Sequence, residues 1–306
     1  MEHFHQAFLW RLLIACCMLA VLVALGGNLV AAGRISALQG PRAGQRVALI
    51  ALGSGLSTAA FLYPLLLNLV RRVFRFADDV VTGNLELASV MGAAIAQRDS
   101  GTGGHNFRVT LYAFRLAEAW GDPRLDMRAM LLGAFLHDVG KIGIRDAILL
   151  KPGPLTAEEM AAMRSHVGLG LKIIGSSKWL QLARNVVEGH HERFDGRGYP
   201  RGLQGTAIPM EARLFSIVDV FDALTSERPY KRPQPLAESL AFIQGAAGSQ
   251  FDPDMVAAFC RIAGDAYRAI HPATQTELED MLTALVERHR KVLYDARPAS
   301  PPTGRP

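Results

Sequence analysis

Six of the nine histidines stand at His105, His137, His166, His190, His191 and His271, five of them beside other polar, charged or glycine residues in helical or helix-end contexts. His137 and Asp138 end a run that is otherwise apolar, Met130, Leu131, Leu132, Ala134, Phe135 and Leu136, so two polar side chains meet a surface the sequence marks for burial. Unpaired polar groups are costly there, and a divalent metal would satisfy them. Imidazole with carboxylate suits first-row metals, and an adjacent His and Asp can serve one ion or let the carboxylate bridge two. His190-His191-Glu192 supplies a second adjacent pair. Asp219 lies among Leu214, Phe215, Ile217, Val218 and Phe221, with Asp222 at i+3 on the same helix face. Taken singly, each of these reads first as a core histidine with a backbone partner or as a surface cap. Taken together they form a candidate metal site.

The elements that must position them are helical. From Gly104 to about Ala269 the apolar periodicity is that of helices, punctuated at Gly121-Asp122-Pro123, Lys151-Pro152-Gly153-Pro154, Asp195-Gly196-Arg197-Gly198 and Arg232-Pro233. Thr156 followed by Glu159 predicts a capping box that starts a helix carrying Met160, Met163 and His166. No alternating strand pattern of useful length occurs. Thr274 to Val292 reads as a closing helix, and Pro298 to Pro306 as a Pro-rich, disordered tail.

Upstream, two uncharged stretches of 22 and 24 residues, Leu12 to Gly33 and Val47 to Val70, are each long enough for a transmembrane helix, which needs about 20 residues. The alternatives are a cleaved signal peptide for the first and a buried core helix for the second. Arg34, Arg42 and Arg46 balance Arg71, Arg72 and Arg75, so flanking charge leaves orientation open. Between the second span and the helical domain, Phe74 to Gln97 predicts a helix. Phe74, Ala77, Val81, Ala88, Met91 and Ile95 lie near an a/d register with Asn84 in one slot. That stripe is either a parallel homodimer seam or the first helix of the following domain lying on its core. Cys16 and Cys17 sit in the first span and Cys260 stands alone, which fits a reducing compartment. The net charge of +5 gathers partly beside the spans, without a basic stripe interleaved with aromatics, so it points to a membrane surface rather than a nucleic-acid polymer.

Three strings in order carry a resemblance: His137-Asp138-Val139-Gly140-Lys141, then His190 to Pro200 (HHERFDGRGYP), then Asp219 to Lys231 (DVFDALTSERPYK). From about Arg98 to Ala269 the chain resembles the HD-GYP family of HD phosphohydrolases. The expected fold is all-α, a two-span transmembrane helical hairpin followed by an HD-type helical bundle. It divides into a membrane anchor (1–75, spans about 12–33 and 47–70), a linker helix (76–97), the phosphohydrolase domain (98–269), and a closing helix with disordered tail (270–306).

The resemblance implies a cyclic di-GMP phosphodiesterase that produces pGpG, GMP or both, with iron or manganese as cofactor. It implies His137, Asp138, His166, His190, His191 and Asp219 as ligands, Asp138 bridging. His105 matches a further family histidine within a Glu-Thr-Gly-x-His motif, which here reads Gly101-Thr102-Gly103-Gly104-His105. Glycine offers no side-chain oxygen, so two divalent ions are expected rather than three, with His105 as a ligand or a lining residue. Asp138 and Lys141 would be catalytic, Lys141, Arg228 and Lys231 would hold substrate phosphates, and Asp222 would support the site. The loop of Asp195, Gly196, Gly198, Tyr199 and Pro200 either docks diguanylate cyclases or braces the metal-bearing segment after His191. A silent nucleotide sensor and an enzyme for another substrate, such as cyclic GMP-AMP, are the competing functions. A cytoplasmic catalytic domain on the bacterial inner membrane follows from where such a substrate is found.

Overall fold

A computed structural model describes residues 41–99, 104–227 and 232–289, with isolated positions 26, 27, 30, 33, 34 and 37 before them. The chain divides into two compact units, Met1–Thr82 and Gly83–Pro306.

In the first unit, one helix among the described residues is long and apolar enough to cross a membrane, Arg42–Phe76. Leu49, Ile50, Leu56, Phe61, Leu65 and Leu69 are all exposed along it, a helix without a polar face over its central turns. The second expected span, 47–70, falls inside this helix. The first, about 12–33, lies outside the described residues apart from isolated positions, so one candidate span is found among the described residues.

The second unit is all-helical. Helix α1 (Pro41–Asp99) ends in it, followed by α2 (His105–Trp120), α3 (Met127–Leu136), a 3-10 turn (Val139–Gly143) and the short α4 (Asp146–Leu149). Then come α5 (Ala157–Arg164), α6 (His166–Ile174), α7 (Arg184–Gly189) and α8 (Met210–Thr225). Helices α9 (Leu236–Gly245), α10 (Pro253–Ile270) and α11 (Gln275–Arg288) complete it. Among the described residues the only β pairing is two isolated bridges.

The core gathers around α2, α3 and α8. Tyr112, Phe114, Phe215, Phe221 and Phe259 are fully buried, and Phe221 meets Tyr112 and Phe259 edge-on at 5.3 and 4.9 Å. Each such side chain contributes about 1.5–3 kcal/mol of burial. Asp126 starts α3 by accepting from the Arg128 and Ala129 amides at 2.9 and 3.2 Å. Asp252 does the same for α10, where Pro253 takes the first helical position.

Two sequence expectations change. The stripe proposed as a dimer seam has Ala88 and Ile95 in the domain's own core and Met91 packed against it, so its later half is already occupied. Gly92 on the same face lies so close to the Phe135 carbonyl that a Cβ would collide with it. The Thr156–Glu159 capping box is present, but the helix it starts ends at Arg164. The Ser165 hydroxyl donates back to the Ala162 carbonyl at 2.6 Å, and His166 opens a separate helix.

Candidate metal centre

Five elements bring the polar residues together. His137 closes α3, Asp138 precedes the 3-10 turn that carries Lys141, His166 opens α6, His190 and His191 follow α7, and Asp219 lies on α8. Small residues let these elements approach. A Cβ on Gly140 would strike the His166 carbonyl and the Gly170 amide, and one on Gly133 would strike Val186.

The side chains form two groups, each with its potential ligand atoms within 4.8 Å of one another: Asp138, His166, His190 and His191, and His105, His137 and Asp219. Asp138 also reaches the second group, 3.1 Å from His137 Nε2. His166 and His190 point Nε2 at the other Asp138 oxygen from 3.4 and 3.9 Å. His271, the sixth singled-out histidine, joins neither group and stacks on Tyr267.

The imidazoles are held in one tautomer. His137 Nδ1 donates to the Ala134 carbonyl at 2.9 Å, His166 Nδ1 to Met163 at 2.8 Å, and His190 Nδ1 to Val186 at 3.0 Å. A carbonyl only accepts, so Nδ1 carries the proton and Nε2 a lone pair. All three Nε2 atoms are buried without a hydrogen-bond partner. Three inward-facing lone pairs around a carboxylate are the donor set of a divalent-metal site, and the residues fit such an ion.

The local electrostatics agree. Burial pushes His166 down, pushes His190 down to about 4 with help from His137, and pushes His191 further down with help from His190, leaving their lone pairs uncharged at neutral pH. His137 differs, because burial would lower it but Asp138 and Asp219 together raise it. His137 Nε2 lies 3.1 Å from Asp138 but makes no well-directed hydrogen bond to it. Burial also opposes the charge on Asp138, yet Lys141 and His137 hold it well below the usual carboxylate range. The Lys141 ammonium sits 2.7 Å from Asp138.

Around these groups lies a supporting layer that the sequence reading only partly named. Asp222, fully buried, accepts from His105 Nδ1 at 2.7 Å and from Arg108 at 2.6 and 3.0 Å, so His105 turns its Nε2 toward Asp219 at 3.6 Å. Arg108 was missed, and its one signal is a charge among Phe107, Val109 and Leu111 on an apolar helix. Burial alone would raise the Asp222 carboxyl, but His105 and Arg108 hold it below its ordinary value.

The Asp195 to Pro200 loop folds back on the turn that carries His190 and His191. Tyr199 stacks on His191 with ring centres 4.7 Å apart, and the Arg164 guanidinium lies 4.8 Å from the Tyr199 ring centre. Glu192, buried, accepts from the Arg201 and Leu203 amides at 2.7 and 3.0 Å and so closes the loop. Gly196 adopts a left-handed φ of 79°, Asp195 pairs with Arg193 at 2.8 Å, a Cβ on Gly198 would strike the Glu192 and Arg193 backbone, and Pro200 follows a cis peptide bond. Gly101, Arg228 and Lys231 lie outside the described residues.

The chain is similar over part of its length to known proteins. The chain is 40% identical over 197 residues to the cyclic di-GMP phosphodiesterase response regulator RpfG of Xanthomonas campestris, covering 64% of this chain and 52% of that protein. It is 40% identical over 179 residues to a cyclic di-GMP phosphodiesterase of Thermotoga maritima, covering 58% and 49%. It is also 40% identical over 173 residues to 3'3'-cGAMP-specific phosphodiesterase 2 of Vibrio cholerae, covering 56% and 33%. The chain thus spans about half the length, or less, of these curated relatives. The sequence profile of the HD domain matches residues 89–255, more than half of the chain and every described member of both His/Asp groups. This protein belongs to the HD domain family.

Proposed function

We propose that this chain is a membrane-anchored cyclic di-GMP phosphodiesterase of the HD-GYP type that uses two divalent ions, iron or manganese, and acts on the cytoplasmic face of the bacterial inner membrane. The observation that carries the reading is the set of three buried, tautomer-locked imidazoles facing Asp138, in a segment 40% identical to cyclic di-GMP phosphodiesterases. Two bound ions would supply a water of lowered pKa at neutral pH and stabilise phosphate charge during in-line displacement.

The chain's own residues divide the remaining work. Asp138, within reach of both groups, is the shared carboxylate. His166, His190 and His191 complete one side, and His137 with Asp219 the other, with His105 held beside them by Asp222. Lys141 places a positive charge beside Asp138, where a non-bridging phosphate oxygen would otherwise be repelled by the carboxylate. Arg228 and Lys231, by their place in the third motif, would take the second phosphate. Tyr199 and Glu192 support the bracing reading of the loop, since their contacts run to the turn that holds His191. A cyclase or a second copy of the chain remains a candidate partner.

The test is to produce residues from about Phe76 onward, or the whole chain, anaerobically, load iron or manganese, and follow cyclic di-GMP and its products chromatographically. Hydrolysis to pGpG or GMP is expected. Intact nucleotide that stays bound would favour a silent sensor. The Vibrio cholerae relative named for 3'3'-cGAMP supports one second reading, in which the same metal chemistry acts on cyclic GMP-AMP, and a competition assay between the two nucleotides separates them.

A further inference from the structure

One side chain collects three carbonyls of the turn after Asp138. Arg98 donates through Nη1 to the Lys141 and Ile142 carbonyls at 3.1 and 2.8 Å, and through Nη2 to the Ile144 carbonyl at 2.9 Å and to Asp146 at 2.6 Å. Within the turn, the Ile144 amide donates to the same Lys141 carbonyl at 3.0 Å, and the Lys141 amide to the Asp138 backbone carbonyl at 2.9 Å. The guanidinium is a rigid fork, so four acceptors on one side chain fix the turn in translation and rotation together. The exposed ion pair with Asp146 adds little by itself. The three backbone carbonyls are what tie the turn down.

We propose that Arg98 is a positioning residue that sets where Lys141 stands against Asp138, and that the last turn of α1 thereby controls the phosphate-binding side of the site. Arg98 is the penultimate residue of α1 and lies 43 residues before Lys141. A shift of that last turn draws on three carbonyls around Lys141, whose ammonium is 2.7 Å from the Asp138 carboxylate. None of the imidazoles is attached to Arg98, so the ions would stay while the lysine moves. The consequence for turnover rests on the phosphohydrolase reading, whereas the hold on the turn does not.

The experiment compares the full-length chain in detergent with its Arg98→Gln, Arg98→Lys and Asp146→Ala variants, by hydrogen exchange, metal content and steady-state kinetics. Arg98→Gln is expected to speed amide exchange across 139–150 on the order of ten-fold, the factor expected for losing one charge-assisted hydrogen bond. Exchange across 157–164 and the ions bound per chain should stay as in wild type. For cyclic di-GMP, kcat should fall on the order of ten-fold as the lysine is misplaced. Arg98→Lys should recover part of both effects, and Asp146→Ala should change either by less than about two-fold. Unchanged exchange in Arg98→Gln, or an Asp146→Ala variant as loose as Arg98→Gln, would overturn the proposal. Should Arg98→Gln not fold, Arg98→Lys is read by the same criterion, an exchange rate between wild type and ten-fold faster supporting the hold and an unchanged rate overturning it. A wild-type chain that leaves cyclic di-GMP intact would sink the proposed activity alone, because the exchange comparison still reads the hold on the turn.

Discussion

The two halves of the His/Asp constellation are built by different means. In the group of Asp138, His166, His190 and His191, the rings of His166 and His190 are oriented by carbonyls three or four residues away, so backbone close in sequence fixes the tautomer of each. In the group of His105, His137 and Asp219, His105 is oriented by Asp222 from 117 residues away, and Asp222 is held in turn by Arg108. His166 and His190 in the first half, like His137 in the second, are held by local backbone. His105 in the second half depends instead on a buried ion pair in which loss of one partner strands the other.

Changes to either half should therefore differ in kind. Asp138→Ala removes the carboxylate of the first group that also reaches His137 of the second, and elemental analysis should find the bound metal lost while cyclic di-GMP turnover falls to background. Asp222→Ala strands the Arg108 guanidinium, so chemical denaturation of the metal-free domain should show a loss of about 3–5 kcal/mol. The same change should weaken the ion nearer His105 by about 10–100-fold and spare the other, which stepwise metal titration would resolve. Equal weakening of both ions would erase the distinction between the halves. Tyr199→Ala removes the ring stacked on His191 and should lower affinity at the locally built half by about 10-fold, whereas Tyr199→Phe should stay near wild type. The mildest change, Thr156→Ala, removes the cap of α5 and should cost about 1 kcal/mol in thermal or denaturant unfolding, with the metal count unchanged.

The same contrast explains what the sequence made legible. His137-Asp138, His190-His191 and Asp219 declare themselves because polar ligands on apolar helices are locally anomalous, and the resemblance then groups them. The capping box at Thr156 is likewise a local pattern and is present. Arg108 and Arg98 were not found, because their partners lie 114 and 43 or more residues away and no periodicity encodes such a pairing. The break at Ser165 escaped notice because the apolar pattern runs through it, and only the hydroxyl bond to Ala162 marks the end of the turn. For α1, periodicity found a stripe but not its occupant, since Ala88, Met91 and Ile95 serve a domain core as readily as a partner helix.

The central claim is a two-ion centre whose shared carboxylate is Asp138. Its most direct test is to titrate iron or manganese into the metal-free chain under anaerobic conditions, counting ions bound per chain while recording hydrolysis of cyclic di-GMP. The account predicts that two ions bind and that hydrolysis rises with the second. Three tightly held ions per chain, or hydrolysis with none, would contradict it.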